Sequence, residues 1–264
     1  MRYCVLSLIA SLIGSSAFAD GLVFQLPPDR TWARYAVKHD GEFGHGNEPK
    51  QKLTGDGAVT VSSVGQVTRN EQKCRWIEVK QESKAHVSGD GDVSNINVLK
   101  MLVPEDRLQR GQDPLSRAHL AYFNPKDGDK VGLPVDVGFN RIQYEIDRFR
   151  NVFPKPLDNS QSLARETVET LAGKFEDCKV LTGISDYDGP LINEGRMAYK
   201  TSYRILVHPK APFGVVSMEI DSEGREFGRQ GVVSVKFKAA LKLMEIGKDA
   251  VSDLDKKTTD KSEK

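Results

Sequence analysis

Val232-Val233-Ser234-Val235-Lys236-Phe237-Lys238-Ala239 decides the fold class. Val233, Val235, Phe237 and Ala239 share one face of an extended chain, and Val232, Ser234, Lys236 and Lys238 share the other. A period of two with one apolar face is the signature of a half-buried β-strand. Working outward, the same pattern recurs in Met197 to His208 (MAYKTSYRILVH), which stops at Pro209, and in Val215 to Asp221 (VVSMEID). Ala211-Pro212-Phe213-Gly214 forms the turn between them. Further upstream, Glu166 to Leu171 (ETVETL) and Asp177 to Ile184 (DCKVLTGI) flank the hairpin connection Ala172-Gly173-Lys174. Short polar connections between β-rich runs predict an antiparallel meander. The N-terminal half repeats the pattern in Trp32 to Lys38 (WARYAVK), Gly57 to Val61, Val64 to Arg69 and Cys74 to Ser83 (CRWIEVKQES), with a turn at Asn70 to Lys73.

Between the strand sets the period changes. Pro104-Glu105-Asp106 has Pro and acidic residues where a helix start favours them. Asp113 to Phe123 (DPLSRAHLAYF) places Leu115, Ala118 and Tyr122 on one helical face. Asn140 to Phe153 spaces Ile142, Ile146, Phe149 and Phe153 by four, three and four. The predicted fold class is therefore α+β, mainly β. It is a single curved antiparallel sheet, a half-barrel, with a helical insert near 104–153 covering its concave face or capping one opening. Gly41 to Lys52, rich in turn formers, reads as a loop.

Residues 1–19 (MRYCVLSLIASLIGSSAFA) combine Arg2, an apolar run and the small-x-small triplet Ala17-Phe18-Ala19. That order is a secretory signal peptide cleaved after Ala19, giving a secreted or periplasmic chain. Its apolar run is too short to span a bilayer, and no later stretch is longer. Residues 20–246 then form one domain. Gly247 to Lys264, with five Lys, five acidic residues and no aromatic, reads as a disordered polar tail. The whole chain has 38 basic and 37 acidic residues, and loss of Arg2 leaves 37 of each. A neutral protein gains no counterion-release affinity for polyanions, so nucleic acid is not an expected partner. Of three cysteines, Cys74 and Cys178 remain after cleavage and can form one disulfide in an oxidising compartment.

Catalytic patterns are sparse. The sequence has no G-x-S-x-G elbow, P-loop, G-x-G-x-x-G after a strand or HExxH, and no cofactor is expected. Asp90 to Met101 begins like a calcium loop but carries Asn95 and Met101 where Gly and Glu are required. His39 to Glu48 holds two imidazoles, His39 and His45, among three carboxylates, a weak candidate for a divalent metal. The scattered aromatics are more informative. Trp32, Tyr35, Trp76, Phe175, Tyr199, Tyr203, Phe213, Met218 and Phe237 lie on or beside the strands and are the candidates for lining an apolar ligand cavity.

Glu166 to Val180 (ETVETLAGKFEDCKV) and Ala211 to Glu219 (APFGVVSME) resemble paired segments of a family of bacterial exported proteins. The fold of that family is similar to the lipoprotein-carrier (Lol-type) half-barrel. The resemblance implies a curved sheet around an apolar cavity, and it transfers no catalytic residue. The expected function is non-catalytic binding of a hydrophobic or lipid-like ligand. The alternatives are a cell-envelope structural or protein-interaction module and, less favoured, a metal-dependent hydrolase.

Overall fold

A computed structural model describes residues 23–45, 49–89, 91–108, 118–125, 161–191, 195–228 and 231–254. Ten strands follow in chain order: β1 (Trp32–His45), β2 (Gln51–Arg69), β3 (Gln72–Val87), β4 (Gly91–Pro104), β5 (Leu120–Pro125), β6 (Gln161–Thr170), β7 (Gly173–Leu191), β8 (Gly195–Val207), β9 (Val215–Gly228) and β10 (Gly231–Gly247). They form one antiparallel sheet in the order β5-β4-β3-β2-β1-β10-β9-β8-β7-β6. Two five-stranded meanders are thus joined at the centre, where the first and last strands pair from Trp32↔Gly247 to His45↔Val233.

The helical insert is corrected. Among the described residues, helical structure amounts to a 3-10 turn at Glu105–Arg107 and the start of a turn at 253–254. Leu120 to Phe123, expected to end a helix, is part of β5 and pairs with β4 from Leu102↔Leu120 to Asn97↔Pro125. The aromatic and β-favouring run Leu120-Ala121-Tyr122-Phe123 meets an open ladder there, and cross-strand bonding outweighs the spacing of Ala118 and Tyr122. The helix expected at Asn140 to Phe153 lies outside the described residues. The loop at Gly41 to Lys52 is also corrected: β1 runs on to His45, and β2 begins at Gln51.

Hairpin geometry follows the sequence closely. Asn70 and Glu71 both have positive φ (49° and 64°) between the paired Arg69 and Gln72, as a two-residue type I′ turn requires. The second turn lies at Leu171-Ala172, one residue before the expected Ala172-Gly173-Lys174, and there the Thr170 hydroxyl donates to the Gly173 carbonyl at 3.0 Å and accepts from Ala172 N–H at 3.1 Å.

The sheet curls. One buried cluster contains Ile77, Leu99 and Met101 from β3 and β4 together with Leu181, Tyr203, Ile205 and Met218 from β7, β8 and β9. In a flat sheet β4 and β7, seven strands apart, would stand about 34 Å from each other. Curling lets the two ends of the sheet bury these side chains against one another, so the sheet supplies both walls of its own core. The segment 23–31 closes one end: Phe24 N–H donates to Phe213 O, and Gln25 Nε2 donates to Ala211 O. Arg75 fixes that strap from the other side. Its guanidinium, 5% exposed, donates to Pro27 O, Ser63 Oγ and Glu105 Oε1.

Several glycines within the long strands face an aromatic or imidazole ring across the ladder. The register pairs Trp32 with Gly247, His39 with Gly55, Phe237 with Gly41, Trp76 with Gly65, Tyr199 with Gly224, and Tyr203 with Gly183. A Cβ at Gly224 would lie 2.3 Å from Ala198 O and 2.5 Å from the Tyr199 ring. Added side-chain volume there collides with backbone rather than with a movable side-chain tip. Gly224→Ala should therefore lower the unfolding free energy by about 2–3 kcal/mol, while Ser217→Ala on the opposite face changes it by less than about 0.5 kcal/mol, as read by urea denaturation.

Candidate functional site

Alternation along each strand sorts the chain into two chemically distinct faces. Inner positions run through Ala33, Tyr35, Val37, His39, Gly41 and Phe43 on β1. They continue through the matching residues of β2–β4 and β7–β10 fixed by the register. Among the described inner-face side chains at 33–43, 53–63, 75–87, 93–103, 181–183, 199–205, 216–226 and 233–243, Glu226 is the one carboxylate, and Arg75, at the closed end, is the one Lys or Arg. The outer face carries the charge in rows that cross the strands with alternating sign. One row reads Asp186, Lys200, Glu223, Lys236, Glu42, Lys52 across β7, β8, β9, β10, β1 and β2. A second reads Asp221, Lys238, Asp40, with Lys238 Nζ 3.0 Å from Asp221 Oδ2. Opposite charges placed directly across strands stabilise the pairing. Along the described strands, both signs of charge are thus concentrated on one face. An exterior of this kind differs from the apolar band that a membrane β-barrel turns to lipid.

The sequence-derived cavity residues separate accordingly. Tyr35, Tyr199, Tyr203, Met218 and Phe237 are on the inner face and buried. Tyr35 is fully buried and donates its hydroxyl to Val215 O at 3.2 Å, and burial raises its pKa. Phe175 and Phe213 are buried at the closed end, Phe175 edge-on to His208 with ring centres 5.5 Å apart. Trp32 and Trp76 stand on the outer face instead. Trp32 covers Gly247, and Trp76 lies 5.2 Å below Lys100 Nζ and 5.9 Å from the Tyr122 ring. Close to Trp76, the buried Glu78 carboxylate accepts from Ser252 Oγ at 2.6 Å and from Asp253 N–H at 2.9 Å. These bonds hold the first residues after β10 against the outer face, and residues 255–264 lie outside the described residues.

What the inner face leaves accessible is polar and small. β5 pairs with β4 only along Asn97 to Leu102, and β6 pairs with β7 only as far as Thr182. Beyond those limits, β4 at 91–96 and β7 at 183–191 have no ladder partner on that side among the described residues. Moving inward from the β4 edge, Val93, Asn95, Gln81 and Ser83 are half-buried inner residues, and His39 lies deeper. This belt separates the main core from a second buried cluster of Phe43, Leu53, Ala85, Val87, Tyr199, Val233 and Val235. Opposite polar pairs are internally satisfied: Thr201 and Ser222 hydroxyls are 2.8 Å apart, and Tyr199 OH donates to Glu226 Oε1 at 2.5 Å. His39 differs. It is 7% exposed, its ring is 6.0 Å from Phe237, and its Nε2 has no hydrogen-bond partner among the described residues. Burial lowers its pKa, against the opposing pull of Asp56 and Asp40, so the ring is neutral at pH 7.

Strand geometry divides the His39 to Glu48 cluster. His39 and His45 fall six residues apart on one strand, about 20 Å, and Asp40 and Glu42 project from the opposite face. Residues 46–48 lie outside the described residues. Cys74 and Cys178 are both free and buried, which corrects the expected disulfide. They sit on β3 and β7, with five strands between them in the sheet order. Their Sγ atoms lie 3.5 Å from Gln72 O and Phe175 O, and burial pushes both thiols up. A groove of about 670 Å³ on the outer face is lined by Glu42, Asp186, Asp188 and Glu223 against Lys50, Lys200, Arg225 and Lys236, with Phe227 at its side. Its four acidic and four basic side chains balance, so the groove favours neither sign of ligand.

No family model and no curated protein matches the sequence. Solved structures with a similar sheet include lipovitellin, described for its lipid–protein interactions (TM-score 0.36, 12% identity, 86% of this chain and 26% of that one). An outer membrane channel from Pseudomonas putida F1 also aligns (TM-score 0.36, 8% identity, 83% and 97%). A third is a β-barrel-like protein from Brucella abortus (TM-score 0.24, 8% identity, 86% and 99%). The chain spans about a quarter of the lipovitellin chain it aligns with. None of these similarities reaches a TM-score of 0.5, and none carries the functional argument. The curved antiparallel sheet implied by the sequence resemblance is present, and the Lol-type family itself is not matched.

Glu226 supplies a test of the inner face as a low-dielectric environment. Burial raises its pKa above the usual carboxylate value, against the Tyr199 hydrogen bond that lowers it. For an acid so shifted, the folded state binds the proton more tightly than the unfolded state. Stability then falls as pH rises from the ordinary Glu value through the folded pKa. Glu226→Gln should be more stable than the native chain at pH 7.5, with the difference closing toward pH 4.5, in urea denaturation across that range.

Proposed function

We propose that the protein is an exported, non-catalytic binding protein that holds a hydrophobic ligand within its half-barrel, entered laterally between β4 and β7. One observation carries this reading. A strip of inner face beside an unpaired strand edge stays accessible, while buried apolar clusters flank it on both sides. Sites for small apolar molecules typically combine such walls with a few placed polar groups. The signal sequence at 1–19 supports export to the envelope or beyond, and residues 20–246 act as one domain. A second reading, an envelope interaction module, is favoured by the same edge: the open ladder of β4 at 91–96 can accept a partner strand.

Extraction separates the two. Protein purified from the exported fraction of a host expressing the full chain should release an apolar small molecule into chloroform–methanol, detected by mass spectrometry near one per protein. Ser83→Trp, which fills the accessible strip, should cut that yield at least about fivefold with an unchanged circular dichroism spectrum. An empty extract, together with no binding of an added apolar fluorescent probe, would exclude the ligand reading.

A further inference from the structure

Resting on that reading, we infer that the ligand is an uncharged amphiphile: a single apolar chain with a hydroxyl- or ester-bearing head, of the monoacylglycerol type, whose head bonds to Nε2 of His39.

The argument begins with charge. The described inner face has one Arg and no Lys, and its one carboxylate, Glu226, is bonded to Tyr199. The guanidinium of Arg75, at the closed end, is taken up by Glu105 Oε1 at 2.6 Å, with Asp29 3.6 Å away. A buried, unpaired anion is far costlier than a buried hydroxyl. Sheet alternation has placed the lysines and arginines of β1, β2 and β8–β10 on the other side of the wall, where they neutralise one another.

The second part is the unsatisfied nitrogen. Buried polar side-chain atoms nearly always have a partner, and the exceptions call for an explanation. Nε2 of His39 points over Gly55, where a Cβ would come within 2.5 Å of it. Glycine at 55 is what allows the imidazole to sit at this depth. A neutral imidazole nitrogen pairs with a hydroxyl whichever tautomer is present, because a hydroxyl both donates and accepts. Gln81, Ser83 and Asn95 offer further neutral donors and acceptors along the strip, and half-buried Val37 and Val93 offer apolar contact for the chain.

Calorimetric titration of delipidated mature protein at pH 7.5, with monolauroylglycerol and with laurate, tests this. Both ligands share one acyl chain and differ in head charge. The glyceride should bind at least about tenfold more tightly, a difference of about 1.4 kcal/mol. His39→Phe should weaken glyceride binding about fivefold or more and leave laurate unchanged, and His39→Gln should recover part of the loss. Laurate binding as tightly as the glyceride would overturn the head-group inference and leave the apolar-ligand reading standing. Failure of both ligands to bind, with an empty solvent extract, would overturn the two together. Should His39→Phe not fold, the glyceride-to-laurate ratio on the native protein decides.

Discussion

Everything in this fold depends on aromatic rings lying over cross-strand glycines. Strands of up to 19 residues cannot stay flat and still bury both ends of a ten-stranded sheet. At several strand glycines a Cβ would strike the neighbouring backbone, as at Gly55 against Lys84 O and Gly224 against Ala198 O. Glycine alone would leave weak, unpacked points in a strand. The ring opposite restores apolar cover without restoring the Cβ. Tyr199 and His39 therefore serve curvature first, and their positions on the inner face follow from that.

Curvature then determines which chemistry each face can have. Once the inner face closes on itself, charge is largely kept from it, and the outer face takes most of the ionisable residues of the described strands. Salt-bridge rows on that outer face are exposed, and single pairs contribute little. Their larger effect is on register: a slip of one residue would turn Lys236, Lys238 and Lys242 inward. The interior is thus selected for neutrality by the same alternation that fixes pairing.

Much of this was legible in the sequence, and the failures have physical causes. Val232 to Ala239 announced its own inner and outer faces, and the Asn70 turn and, to within one residue, the Leu171-Ala172 turn were readable from turn chemistry. Gly41 and Gly44 suggested a loop because a strand glycine, such as Gly41 opposite the Phe237 ring, cannot be distinguished from a turn glycine until the strand partner is known. Ala118 and Tyr122 share a spacing of four that suits a helix, and only the open ladder of β4 makes Leu120 to Phe123 a strand. The aromatic list marked buried residues well, but burial is not accessibility. The half-buried strip of Gln81, Ser83 and Asn95 follows from cross-strand register, which no local pattern records. Trp32 and Trp76 lie outside because strand parity, not hydrophobicity, sets direction.

The central pairing of β1 with β10 also imposes an order of assembly. Trp32 and Gly247 are more than 200 residues apart, whereas every other ladder joins consecutive strands, most of them through short turns. Each meander can zip locally, at the low closure entropy of its own turns. During synthesis the N-terminal meander therefore exists for a time with β1 as an exposed sticky edge, waiting for the last strand of the chain. In β1, Lys38, Asp40 and Glu42 then have a role before the fold is complete: charges along a waiting edge discourage the wrong partner until β10 arrives.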